Sequence, residues 1–200
     1  AAAGFAPSYD VGASCQWRTG AIGINGVMMD IGENDDANGY NFYGMQMGYT
    51  LAAELGEGSY RLIYEAASEE FLDPAGEKKE SLQAVILSCD QQLGDVLGVW
   101  IRFAWQTDDA AVTHKNQYSG GVQINGSLWH REDDAIGLGY AHLSGGNLEL
   151  DQTDVAELYA RFALNEMFAV TGDIQYLQDS PRQGEEIDGW VFGIRATVEF

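Results

Sequence analysis

Period-two alternation, interrupted at intervals by polar connections, constrains this chain more than any other property. Apolar and polar residues alternate in eleven segments: residues 9–18, 21–29, 40–53, 59–67, 81–91, 96–106, 118–129, 135–143, 155–164, 168–177 and 190–200. Such a period marks a strand whose two faces meet different surroundings. The last segment shows it most cleanly: Trp190, Phe192, Ile194, Ala196, Val198 and Phe200 form one face, and Val191, Gly193, Arg195, Thr197 and Glu199 the other. Each segment has the roughly 9–14 residues that a tilted strand needs to cross a bilayer. The connections sort into two kinds. Short ones cover 19–20, 54–58, 92–95, 130–134 and 165–167; long ones cover 30–39, 68–80, 107–117, 144–154 and 178–187. They alternate without exception, as they do in a membrane barrel with tight periplasmic turns and longer outer loops. A soluble sandwich has no reason to sort its loops this way. The fold expected is therefore all-β: an antiparallel transmembrane β-barrel, with residues 1–200 supplying about eleven strands as a single barrel domain.

Polarity follows from the loops. With the last strand ending in the periplasm, the first begins outside the cell. A bacterial barrel has an even number of strands, and an open eleven-stranded sheet would expose two unpaired edges to lipid. At least one more strand is expected before Ala1, which makes this the C-terminal part of a longer barrel. No apolar run approaches the roughly 18 residues of a membrane helix, and a barrel hides its membrane signal in alternation. No signal peptide is recognisable at Ala1-Ala-Ala-Gly. The formal net charge is -21, with only 10 Lys and Arg, scattered along the chain, which argues against nucleic acid as a partner. Cys15 and Cys89 show no metal spacing and fall on strands not expected to be neighbours; a disulfide between them is the weaker alternative.

The face opposite the apolar one carries the functional candidates. Arg61, Glu65, Trp100, Arg102, Gln123, Asn125, Trp129, Glu157, Tyr159, Arg161, Asp173, Gln175 and Arg195 all fall on it. A lining of guanidinium, carboxylate and amide groups suits a water-filled pore; it equally suits ion pairs that only stiffen the wall. Trp100, Tyr159 and Trp129 could stack sugar C–H faces, with Arg and carboxylate groups hydrogen-bonding the hydroxyls. The competing reading puts some of these rings in the interfacial girdles at the barrel rims. Residues 84–87 are apolar on both faces, so the fifth segment does not declare its orientation.

Other motifs carry less. Asp30-Ile-Gly-Glu-Asn-Asp-Asp-Ala-Asn-Gly39 is rich in oxygen ligands, and Ca²⁺ on such acidic outer loops is conceivable, but the spacing is not that of an EF-hand. That loop, residues 68–73 and residues 132–134 are expected to be solvated. His114, His130 and His142 are unclustered, Ser14 and Ser88 lack a nucleophile-elbow context, and no carboxylate pair stands out. Neither an enzyme nor an obligatory cofactor or metal is indicated.

Several segments carry a family resemblance. Residues 42–64 hold Gly-Tyr, then Glu-Leu-Gly, then Gly-Ser-Tyr-Arg-Leu. Cys89-Asp-Gln-Gln-Leu93 is followed by Leu97-Gly-Val-Trp-Ile-Arg-Phe-Ala-Trp105. Then come Asp133-Asp-Ala-Ile-Gly-Leu-Gly-Tyr140, Glu157-Leu-Tyr-Ala-Arg161 and Asp173-Ile-Gln-Tyr176. In that order, over residues 40–200, the chain resembles the C-terminal half of OprB-type carbohydrate-selective porins. A last strand ending on Phe200 likewise resembles those of Gram-negative outer-membrane barrels. The resemblance implies a sixteen-stranded barrel in the outer membrane of a Gram-negative bacterium, in contact with lipid and lipopolysaccharide and passing small sugars passively. It also implies a constriction built partly by inward-folded loops. The net charge leaves a preference for cations open, and a homo-oligomer is a further possibility. Two other readings compete: a structural or surface-layer barrel with a plugged lumen, and a soluble β-sandwich lectin, which the loop parity disfavours.

Overall fold

The structure, a computed structural model, describes residues 11–34, 37–54 and 56–198. The ends of the first and last predicted segments (residues 9–10 and 199–200) and two aspartates of the acidic loop, Asp35 and Asp36, lie outside the described residues. Within them the chain forms β1 (Gly12–Thr19), β2 (Ile22–Ile31), β3 (Tyr40–Ala53), β4 (Gly56–Ala67), β5 (Phe71–Leu72), β6 (Lys79–Glu80), β7 (Gln83–Leu93), β8 (Leu97–Gln106), β9 (His114–Asn125), β10 (Ala135–Gly145), β11 (Leu150–Ala163), β12 (Phe168–Pro181) and β13 (Ile187–Val198). All but β5 and β6 join one 11-stranded sheet in strict chain order, every neighbour antiparallel. This is the wall of a barrel, as the loop alternation predicts. Its edge strands β1 and β13 have no further partner among the described residues.

Register decides the faces, because directly opposed residues point the same way. Arg61, Ser88, Arg102 and Ser119 form one cross-strand row, and Gln123, Gly137, Tyr159 and Asp173 another. These rows are the inner face. The outer face is apolar and bare: Tyr43, Met45, Met47, Leu62, Ile101, Val122, Leu138, Leu158, Phe162 and Trp190 are all exposed, and Phe192 and Ile194 are 72% and 87% exposed. A soluble sheet cannot leave so large an apolar surface uncovered; hydrocarbon is the solvent this face fits. Outward rings gather toward the outer end, where Phe103, Trp105 and Tyr118 make mutual contacts at 6.0–6.4 Å and Tyr176 meets Trp190 at 5.0 Å. That is where an interfacial aromatic girdle sits. Cys15 and Cys89 are both free and lie on β1 and β7, outward-facing strands that are not neighbours.

The ambiguous fifth segment is resolved as β7: Ala84, Ile86 and Ser88 are buried inward while Val85 and Leu87 face out. Two expectations need correction. The predicted strand over 118–129 stops at Asn125; Gly126–Trp129 is a 3-10 turn that ends on His130 at φ 61°. Gly126 forces this, because its backbone runs so close to the Arg131 carbonyl that no side chain fits there. Trp129 therefore leaves the strand ladder. Loop lengths also sort less cleanly than the sequence predicts: the outer connection 146–149 is shorter than the periplasmic connection 126–134. Strands β10, β11 and β12 simply continue outward as ladder, using residues that read as loop.

The long outer connections do not stand clear of the barrel. Ile31, Tyr40, Phe42, Ala67 and Ala84, inward at the outer ends of β2, β3, β4 and β7, pack with Leu82, Ala110 and Val112 from the connections 68–82 and 107–113. Ala110 is 0% exposed. Residues 68–73, expected to be solvated, instead enter the β5–β6 hairpin, whose Phe71 ring meets Tyr40 edge-on at 4.9 Å. These loops are folded onto the luminal side of the wall.

Candidate functional site

The inner face of β9–β13 stays open where the loops cover the other side. At its periplasmic half lies a basin of about 580 Å³ lined by Gln123, Asn125, Glu132, Asp133, Asp134, Ala135, Glu157, Tyr159, Arg161, Thr171, Asp173 and Arg195. Seven of the predicted candidates meet here: Gln123, Asn125, Glu157, Tyr159, Arg161, Asp173 and Arg195. Alternation on the five neighbouring strands β9–β13 brings them together, since residues two apart on one strand share a face with the opposed residues of the next.

Two rings lie flat against this wall. The Tyr159 ring rests over Gly137 so closely that a Cβ there would collide with it, and its hydroxyl donates to Gln123 Oε1 at 2.5 Å. The Trp100 indole covers Gly121 and Gly139: a Cβ at Gly121 would lie 2.7 Å from Nε1, and one at Gly139 3.5 Å from Cζ2. Cross-strand pairing sets the glycines side by side, Gly121 opposite Gly139 and Gly137 opposite Tyr159. The Trp100–Gly98–Gln123 surface continues into a second depression of about 470 Å³ with Glu57, Ser59, Asp90 and Gln91. Glycine thus provides a bed in which each ring turns one face to the wall and leaves the other to the lumen.

Charges are set around the rings. Arg161 donates through Nη1 to the Asp133 carbonyl, Asp173 lies against Gly193, and Arg195 pairs in register with Thr171. Below them the turn 126–134 is locked by a carboxylate that the sequence reading left in solvent. Asp134 is 2% exposed. It takes hydrogen bonds from Arg131 Nε at 2.6 Å and Nη2 at 3.2 Å, from the Ala163 amide at 2.8 Å and from the Trp129 indole at 3.3 Å. The Arg131 hydrogen bond, with the amide, indole and guanidinium charge behind it, lowers its pKa to about 2 against the opposing effect of burial, and raises that of Arg131. Trp129 is part of this lock.

The remaining candidates lie elsewhere on the same face. Arg61 pairs with Asp90 at 2.8 Å. Arg102 reaches Ser88 Oγ at 3.4 Å. Glu65 sits near the loop-covered end, with one buried carboxylate oxygen lacking a hydrogen-bond partner. Gln175, opposite Glu157 and Val191, falls outside the basin. Sequence reasoning missed Glu132 and Asp133 in the basin wall, and the glycine bed; it places Thr171 inward without counting it among the candidates. The bed did have a signal: in Ile136-Gly-Leu-Gly139 every outward position is large and every inward one is glycine. Among the described residues no three His, Cys, Asp or Glu side chains gather to hold a metal ion.

A family model described as the carbohydrate-selective porin, OprB family, matches residues 16–200. Among solved structures, OprB of Pseudomonas putida at high pH superposes with a TM-score of 0.77 at 16% identity, over 94% of this chain. The chain spans 58% of that protein's length. No curated protein matches the sequence.

Proposed function

Because this chain belongs to the OprB family of carbohydrate-selective porins, whose members are outer-membrane proteins of Gram-negative bacteria, we propose that it walls a water-filled passage for sugars and other small hydrophilic solutes. The observation that carries this reading is the open inner face of β8–β13, where the Trp100 and Tyr159 rings lie flat over glycines beside Arg161, Arg195, Glu157 and Asp173. A pyranose presents C–H groups on its faces and hydroxyls around its rim. A flat ring meets the former, and guanidinium and carboxylate groups at the wall meet the latter. Such contacts are individually weak and arranged in series, as permeation requires: a solute must bind well enough to enter and loosely enough to leave. Transport is passive, with no catalytic step and no bound cofactor.

Ten of the 13 pore-lining candidates divide accordingly. The basin group and Trp100 touch the solute, while Arg61 and Arg102, held by Asp90 and Ser88, stiffen the wall. Among the described residues β1 and β13 have one strand neighbour each, and in lipid the backbone N–H and C=O groups of such edges are satisfied only in a closed barrel. Lipid and lipopolysaccharide contact the apolar outer face and its aromatic girdle. A plugged structural barrel is the second reading, favoured by the loop cluster around Ala110 in the outer lumen. Single-channel recording on the protein purified from native membranes, with glucose and a maltose series added, separates them. Sugar-dependent reduction of the open current is the expected result. Folded, inserted protein that passes no current would establish the plugged barrel instead.

A further inference from the structure

Resting on that porin reading, we infer that Asn147 is the positioning residue that fixes the width of the outer passage. Its side chain clasps the connection 107–113 from the adjacent turn between β10 and β11. Asn147 Nδ2 donates to the carbonyls of Asp108 at 2.6 Å and Ala110 at 2.7 Å, and Oδ1 accepts from the Val112 amide at 2.9 Å. The backbone adds two bonds, from the Asn147 amide to the Val112 carbonyl at 3.1 Å and from the Gly146 amide to the Thr113 carbonyl at 2.8 Å. Gly146 runs so close to Val112 that a Cβ there would collide with it.

The side chain reaches what these two backbone bonds do not, the Asp108 and Ala110 carbonyls. Residues 107–113 belong to no strand or helix, so their polar groups need partners from outside the segment. One carboxamide supplies an acceptor and two donors in the geometry required, which uses its full hydrogen-bonding valence on that side. Held there, Ala110 and Val112 press into the apolar cluster against Ile31, Phe42 and Ala84 on the inner wall. The Ala111 amide then bonds the Leu72 carbonyl at 2.8 Å, which couples the segment to the β5–β6 hairpin. Asn147 therefore ties the turn after β10 to the adjacent connection before β9, whose Ala110 and Val112 reach the loop cluster seated on β2, β3, β4 and β7. Releasing it frees the segment to lift away from the wall and opens the outer passage.

The test uses the full protein from native membranes, with Asn147→Ala and Asn147→Asp compared to wild type by single-channel conductance and by liposome swelling with mono-, di- and trisaccharides. Asn147→Ala removes all three side-chain bonds and should raise conductance roughly twofold and speed trisaccharide entry more than glucose entry. Asn147→Asp keeps the acceptor for Val112 but turns a carboxylate oxygen toward the Asp108 and Ala110 carbonyls, which repel it, so it should release the segment at least as fully as Asn147→Ala. Protease resistance of the inserted barrel confirms folding. If Asn147→Ala does not insert, the Asp variant decides in the same direction. A folded variant with wild-type conductance and wild-type size selectivity overturns the inference. A wild-type protein that passes no current overturns the porin reading itself, and is distinguished by needing no variant.

Discussion

Two regions of the inner wall, the outer end of β2–β8 and the basin on β9–β13, are built on opposite plans. From β2 to β8 the outer-end inner face is apolar and covered: Ile31, Phe42, Ala84 and Ala104 are each 5% exposed or less, under loops that fold into the lumen. From β9 to β13 the inner face is charged, glycine-rich and open, and it holds the basin. The strands that make these regions look alike in sequence, since both alternate. What differs is the size and polarity of the inward residue. Small apolar inward residues accept a loop; glycine beside a large ring and a charge makes a surface that water and solute can reach. A barrel wall can thus carry its own ballast on one side and its passage on the other.

The largest test of this contrast is a charge in the covered region. Ala110→Asp would place a carboxylate at a fully buried position with no counter-charge, at a cost of about 3–5 kcal/mol if the cluster stayed closed. The strand ladders do not depend on Ala110, so the loop should leave while the barrel stays folded. Proteolysis should then cut within residues 107–113 in the variant and spare the wild type. An uncut, fully stable variant would show that the cluster is not what holds the loops.

Next in size is the charge of the open region. Arg161→Gln with Arg195→Gln leaves Glu132, Asp133, Glu157 and Asp173 uncompensated around the basin. With roughly 1 kcal/mol per charge at contact distance in water, screened by salt, reversal potentials in a KCl gradient should move toward cations by about tenfold in permeability ratio. The same substitution pattern at Arg61 and Arg102, which are tied to Asp90 and Ser88, should move it less. Equal effects at both pairs would show that the basin arginines hold no special place on the inner face.

Much of this was legible in the sequence, and the exceptions share a cause. Period-two alternation fixed which face each residue takes, because a strand has only two choices; Arg61, Arg102, Tyr159, Asp173 and Arg195 all face inward as the alternation predicts. Strand count and chain order followed from turn spacing. Trp129 and Asp134 were misplaced because a 3-10 turn and a side-chain lock carry no period. Residues 68–73 read as solvated, and residues 107–113 only as part of a long connection, because a loop's destination depends on what it meets in the fold. Nothing local in Asp-Asp-Ala-Ala-Val112 announces that Ala110 will be buried.

A smaller effect is expected at the glycine bed. Gly137→Ala adds one methyl group beneath the Tyr159 ring, whose atoms are the nearest it would meet, so the ring must lift and its bond to Gln123 must lengthen. The stacking contribution of one ring is about 0.5–1.5 kcal/mol, and sugar block of the current should weaken a few-fold while unliganded conductance changes little. Gly121→Ala is the harsher control, since its Cβ would also meet the Leu138 carbonyl at 2.6 Å. If Gly137→Ala left sugar block intact, the flat ring would be wall packing only, and the open region would select by charge alone.

The smallest effect belongs to the turn beneath the basin. The Asp134 pKa is lowered from 3.8 to about 2, foremost by the Arg131 hydrogen bond. A group whose folded pKa lies below its unfolded value contributes stability that is fully present above the unfolded pKa and disappears as pH falls through the folded one. The wild type should therefore hold the turn at pH 5 and begin to lose it between about pH 4 and pH 2. Asp134→Asn keeps an acceptor for the Ala163 amide but ends the charge pairing, so its turn should be weaker at neutral pH and lack the acid transition over that window. Hydrogen exchange of the Ala163 amide reports this directly, since its acceptor is the Asp134 carboxylate at 2.8 Å. Exchange that quickens with acid equally in both proteins would mean the turn is held by its backbone bonds, Arg131 amide to Gly126 carbonyl and Gly126 amide to Asp134 carbonyl. In that case the basin floor would owe its shape to the strands alone.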